Sequence, residues 1–160
     1  MTDITFRDAT PADLALVLAF VRELAEYERL GHEVVATEED FRRSPFGEAP
    51  KAHALIVEKG GRPAGFAVWF YNFSTFLGRP GIYVEDVYVR PEFRGGGIGR
   101  MIFRHLAARA VAEGCGRLEW WVLDWNESAI RFYRSIGAVP MDEWTVQRVT
   151  GDALARLAGE

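Results

Sequence analysis

The stretch Val87-Tyr88-Val89-Arg90-Pro91-Glu92-Phe93-Arg94-Gly95-Gly96-Gly97-Ile98-Gly99-Arg100 constrains this chain more than any other. It reads as a strand, a tight glycine-rich turn and the start of a helix. Glycine reaches positive φ without steric cost and lets the backbone approach a ligand closely. The first amides of a helix lack intrahelical acceptors and carry the positive end of its dipole, so such a turn suits a phosphate group. Two other phosphate loops fail on spacing. A P-loop needs lysine followed by Ser or Thr, and Arg100-Met101 stands here instead. A dinucleotide fingerprint needs glycines at the first, third and sixth positions, and counting from Gly95 the sixth is Arg100. Arg100 opposes the helix dipole and Arg104 repels it one turn on, each at a cost of roughly a few tenths of a kcal/mol. A bound anion reverses both effects. A turn kept for packing alone is the competing reading.

Strand and helix patterns alternate around this turn. Ile4 and Phe6 share one face of a first strand over residues 3–7. Thr10-Pro11-Ala12-Asp13 opens a helix with a cap, a first-turn proline and an acid that complements the dipole. Its apolar stripe is Leu14, Val17, Leu18, Val21, Leu24 and Ala25, and Gly31 fits its end. Thr37-Glu38-Glu39-Asp40 opens a second, shorter helix by the same logic. Residues 53–58 and 63–72, joined by Gly60-Gly61, predict an antiparallel hairpin. Residues 82–89 form a further strand, and residues 97–113 a helix stopped by Gly114 and Gly116. The near-continuous apolar run 118–123 predicts a strand buried on both faces. Asn126 caps a helix over 126–136. A last strand over 144–149 precedes a C-terminal helix. The expected fold is α/β: a single domain over residues 1–160, with a mixed sheet flanked by helices on both faces.

Composition narrows the function classes. Of the 160 residues 49% are apolar, enough for a sizeable core, and the net charge of −4 disfavours a nucleic-acid binder. The single cysteine, Cys115, forms no intrachain disulfide, which suits a reducing cytoplasmic setting. His32, His53 and His105 lack metal-ligand spacing, so no metal site is expected. Met1-Thr2-Asp3-Ile4-Thr5 has no leader character, and no apolar run approaches a membrane span.

Arg94-Gly95-Gly96-Gly97-Ile98-Gly99 matches the R/Q-x-x-G-x-G/A signature of the GNAT acetyltransferase superfamily, between a strand and a helix as in that family. The resemblance extends to Glu23-Leu24-Ala25-Glu26-Tyr27-Glu28 and Tyr83-Val84-Glu85-Asp86-Val87-Tyr88-Val89. It continues in Leu123-Asp124-Trp125-Asn126-Glu127 and in the run from Ala129 to Ala138. Together these look like the diamine (spermidine/spermine) and thialysine acetyltransferase branch. The resemblance implies a splayed sheet, with acetyl-CoA wedged where strands 82–89 and 118–123 diverge. It implies pantetheine on the backbone of Val87 and Val89, and the pyrophosphate on Arg94, Gly95, Gly96, Gly97, Ile98, Gly99 and Arg100. Asn126 and Tyr133 match positions along the cofactor's pantetheine arm and sulfur end. A homodimer is likewise implied, with the segment around Trp144 contributing.

The implied chemistry is attack of an amine on a thioester. A free alkylamine has a pKa of about 10.4, so a group must first take its proton. Glu85 is the candidate base, on the expectation that it shares an apolar strand face with Val87 and Val89; a binding carboxylate is the open alternative. Tyr133 is the candidate acid, because Ala129, Phe132, Tyr133 and Ile136 fall on one helical face. Tyr27, Glu28, Glu85 and Asp86 are the candidate substrate-binding residues, since acids and rings suit an ammonium ligand. Arg79 and Arg90 are candidate partners for a substrate carboxylate. A CoA-binding module without turnover and an unrelated phosphate-binding protein are the competing classes.

Overall fold

Five strands form one sheet in the order β1-β2-β3-β4-β5 in a computed structural model that describes residues 3–159. Met1 and Thr2, which belong to the stretch read for a leader, lie outside the described residues, as does Glu160. Strands β1 (Ile4–Asp8), β2 (His53–Lys59), β3 (Arg62–Ser74) and β4 (Arg79–Val89) are antiparallel neighbours; β5 (Leu118–Trp120) runs parallel to β4. The helices are α1 (Leu14–Tyr27), α2 (Glu38–Arg43), α3 (Ile98–Ala112), α4 (Glu127–Ser135) and α5 (Gly151–Ala158). The chain divides into two compact units, residues 1–125 and residues 126–160.

In the first unit each sheet face carries its own apolar layer. Alternation along β2 and β3 sends Leu55, Val57, Ala67 and Trp69 to one side, where they meet Ile98, Ile102 and Leu106 of α3. It sends Ala54, Ile56, Phe66 and Val68 to the other, under Val17, Phe20 and Leu24 of α1. Phe20 stacks on Phe66 with ring centroids 5.0 Å apart. Burying each such ring contributes roughly 1.5–3 kcal/mol. Helix α2 starts on a reciprocal capping box between Thr37 and Asp40, as the sequence predicts.

Three expectations change. Strand β5 has three residues rather than six and is half-buried, not buried on both faces. Its aromatic run serves separate partners: Trp120 packs on Phe103 and Trp121 stands edge-on to Tyr83. Among the described residues, 144–149 forms no strand; the alternating pattern has no ladder to join, and an isolated strand is not stable. Helix α1 ends at Tyr27, before Gly31, and Arg29 makes the turn with φ 62°. In the second unit Asn126 caps α4, its Oδ1 accepting the Ala129 N–H at 3.3 Å.

Candidate active site

Strand β4 organises the site. It pairs with β5 only through Ile82↔Leu118, Tyr83↔Glu119 and Val84↔Trp120. Residues 85–89 continue with no partner on that edge among the described residues, so the sheet opens as expected. Val87 and Val89 pack partly against the α3-side core, leaving their backbone at the open edge. Beyond them, the Arg94 Nε–H donates to the Val89 carbonyl at 2.8 Å. Gly95 and Gly97 take φ of 82° and 78°, a region other residues enter only under strain, and a Cβ on either would meet nothing within 4 Å. The turn is therefore open on its outer side. Gly97 caps α3, Ile98 is buried as its anchor, and Gly99 and Arg100 lie on the first turn. Lys59 Nζ stands 3.8 Å from where a Gly96 Cβ would be. A glycine cradle, a helix start and the cations Arg94 and Lys59 together fit a diphosphate. Lys59 could not be found from sequence, because the end of β2 is remote from the turn along the chain.

The carboxylates converge on the same strand. The register passes from Val68↔Asp86 to Trp69↔Val84, so Glu85 is an extra, unpaired residue in β4. This β-bulge restores the facing after it: Val84 and Val87 lie three apart yet face the same layer. Glu85 is consequently exposed and does not share the apolar setting of Val87 and Val89 predicted for it. Asp86 is half-buried, and its pKa is pushed up to about 7, first by burial and then by the charges of Glu85 and Glu28. Glu28, half-buried at the end of α1, is itself raised by burial. Glu28, Glu85 and Asp86 thus form one electrostatically coupled group. Beside Glu28 in sequence, the Tyr27 ring centroid lies 5.1 Å from the Arg94 guanidinium, which is also 5.5 Å from that of Tyr88.

Neither candidate carboxylate partner suits that role. Arg90 is held by Glu23 at 2.8 Å and by the Pro63 carbonyl at 3.1 Å, and it stacks over Phe20. Arg79 opens β4 at the end away from Glu85. In the second unit Ala129, Phe132, Tyr133 and Ile136 are all half-buried on one face of α4, as their spacing predicts. Two other residues are structural: His105 stacks on Phe6 at 5.0 Å, and Cys115 packs against the α3-side core with its thiol pKa raised by burial.

Comparison with known proteins agrees with this geometry. The model of the acetyltransferase (GNAT) family matches residues 18–138. The chain is 39% identical over its full length, and the relative's, to thialysine N-epsilon-acetyltransferase of Bos taurus. It is 32% identical to an L-ornithine N5-acetyltransferase of Arabidopsis thaliana, covering 94% of this chain and 86% of that one. An integron cassette protein from the mobile metagenome of V. cholerae superposes with a TM-score of 0.83 at 26% identity, both chains fully covered. No helix among the described residues is long and apolar enough to cross a membrane. With an open glycine cradle beside a splayed strand, and full-length relatives that are acetyltransferases, the chain belongs to the GNAT family and is an N-acetyltransferase with acetyl-CoA as its acetyl donor.

Proposed function

We propose that this enzyme acetylates the side-chain amine of a small cationic substrate of the thialysine, lysine or diamine class. The observation that carries this is the coupled group Glu28, Glu85 and Asp86 beside the unpaired edge of β4. Clustered carboxylates attract an ammonium ion and relieve their own repulsion when it binds. The relatives support the same class, being named for thialysine and L-ornithine. They give no support to a CoA-binding module without turnover.

Bound acetyl-CoA supplies an activated thioester. Residues 94–100 and Lys59 are assigned to its diphosphate, the edge at Val87 and Val89 to its pantetheine, and Asn126 and Tyr133 to the far end of that arm. The amine's proton goes to the Glu85–Asp86 pair. Asp86 is the acceptor that proton affinity favours, and exposed Glu85 raises that affinity and reaches solvent. An ordinary aspartate lies about 6.5 pKa units below an alkylammonium; at about 7 Asp86 narrows the gap to roughly 3.4 units. At 1.36 kcal/mol per unit this makes the transfer on the order of 4 kcal/mol less uphill. Tyr133 is assigned to protonate the departing thiolate. The whole chain is read as one catalytic domain, in keeping with a family match spanning both units. It is read as a cytoplasmic homodimer; the exposed Trp144, Val146 and Val149 favour the dimer, which sedimentation tests.

The deciding assay incubates the protein with acetyl-CoA and a panel of thialysine, lysine, ornithine and diamines, and follows free-thiol release. Amine-dependent release is expected; CoA binding without release would overturn the reading. In the same assay Glu28→Gln is expected to raise the amine KM roughly tenfold, since a hydrogen bond to a charged group is worth about 1.5–3 kcal/mol, and to leave the acetyl-CoA KM nearly unchanged. Lys59→Ala is expected to do the reverse, raising the acetyl-CoA KM roughly three- to tenfold and weakening its salt dependence.

A further inference from the structure

The end of α1 holds a residue where glycine is expected. The Leu30 N–H reaches the Ala25 carbonyl at 2.8 Å and the Arg29 N–H reaches that of Glu26 at 3.0 Å, the two bonds that close a helix through a left-handed residue. That residue is Arg29, at φ 62°, the one non-glycine residue with positive φ among those described. A long side chain there is held against a steric preference, and such strain collects at functional positions. Its guanidinium lies 4.7 Å from the centroid of the Trp125 ring. Among the described residues no hydrogen bond or ion pair engages it, so its fork of N–H donors lies over an indole and stays open.

Its neighbour in the chain is Glu28, which is coupled to Asp86. Three carboxylates that draw in the ammonium of a substrate repel any carboxylate on the same molecule. A cation at their rim cancels that repulsion, and a planar guanidinium stacked on a ring matches a carboxylate in both charge and shape. With Arg90 held by Glu23 and Arg79 at the far end of β4, Arg29 is the arginine placed to do this. We infer that Arg29, braced on Trp125, is the specificity-determining residue that receives the α-carboxylate of an amino-acid substrate and so favours such a substrate over a plain diamine. The inference rests on the amine-acetylating function proposed above.

The test compares thialysine with its decarboxylated counterpart, 2-(2-aminoethylsulfanyl)ethylamine, at saturating acetyl-CoA, reading free-thiol release. For Arg29→Ala the ratio of kcat/KM, thialysine over diamine, is expected to fall roughly 10- to 100-fold, carried mainly by the thialysine KM. Arg29→Lys should restore part of it. Arg29→Gly should lose the same selectivity while its Tm stays at or above wild type, because glycine suits the turn. A ratio unchanged in Arg29→Ala, or a selectivity loss seen only in variants with lowered Tm, would overturn the inference. A wild-type protein that turns over neither amine would instead refute the functional reading itself, and this inference with it.

Discussion

Replacing Asp86 by asparagine is expected to lower kcat/KM by about 10²- to 10⁴-fold, the range of a lost general base, while making the free protein more stable at alkaline pH. The folded pKa of about 7 lies above the ordinary 3.8. Between those values the folded state keeps a proton that the unfolded chain has released. Stability therefore falls as pH rises through this window, by an amount that levels off on the order of 4 kcal/mol above pH 7. The neutral amide of the Asp86→Asn variant carries no such charge, so its Tm should exceed wild type by roughly 10 °C at pH 8 and hardly at all at pH 4. Thermal melts across pH check this. Wild-type kcat/KM should correspondingly climb with a midpoint near pH 7 and level off about one unit above it, a limb that Asp86→Asn removes. Wild-type rates in the variant, or parallel melting curves at every pH, would show that another group holds the proton.

Tyr133→Phe is expected to lower kcat about 10²-fold and to change the amine KM by less than about twofold. A phenol of pKa about 10 can hand a proton to a thiolate that otherwise leaves as a full anion. Tyr133 is half-buried on α4, with its ring centroid 5.6 Å from that of Phe132, so removal of the hydroxyl leaves the packing in place. Single-turnover acetyl transfer isolates the step. An unaltered rate would remove the acid from the mechanism, leaving the thiolate to depart unaided.

Much of this was legible because it is local. The glycine turn, the hairpin at Gly60-Gly61, and the caps at Thr37 and Asn126 each depend on residues a few positions apart. What sequence hid depends on register or on distant partners. Alternation placed Glu85 with Val87 and Val89, but one unpaired residue in β4 gave that face back to Val84 and left Glu85 exposed. Asp86 owes its proton affinity to burial and to Glu28 on another element, which no count along β4 contains. Arg29 was masked by Gly31, the more conventional helix stop. The segment 144–149 has the composition of a strand and lacks the neighbour that would make it one.

In a regular strand, consecutive side chains are sent to opposite sides of the sheet, so two adjacent acids cannot serve one ligand. The extra position in β4 lifts that restriction. It is also separable from the scaffold that carries it: with residue 85 excised, Val84 still pairs with Trp69 and Asp86 with Val68, and the valines beneath keep their places. Glu85 is thus a one-codon insertion beside an Asp86 that belongs to the regular ladder of the sheet. A lineage can gain or shed this second acid, and with it the charge that tunes Asp86, while the folding core stays as it is.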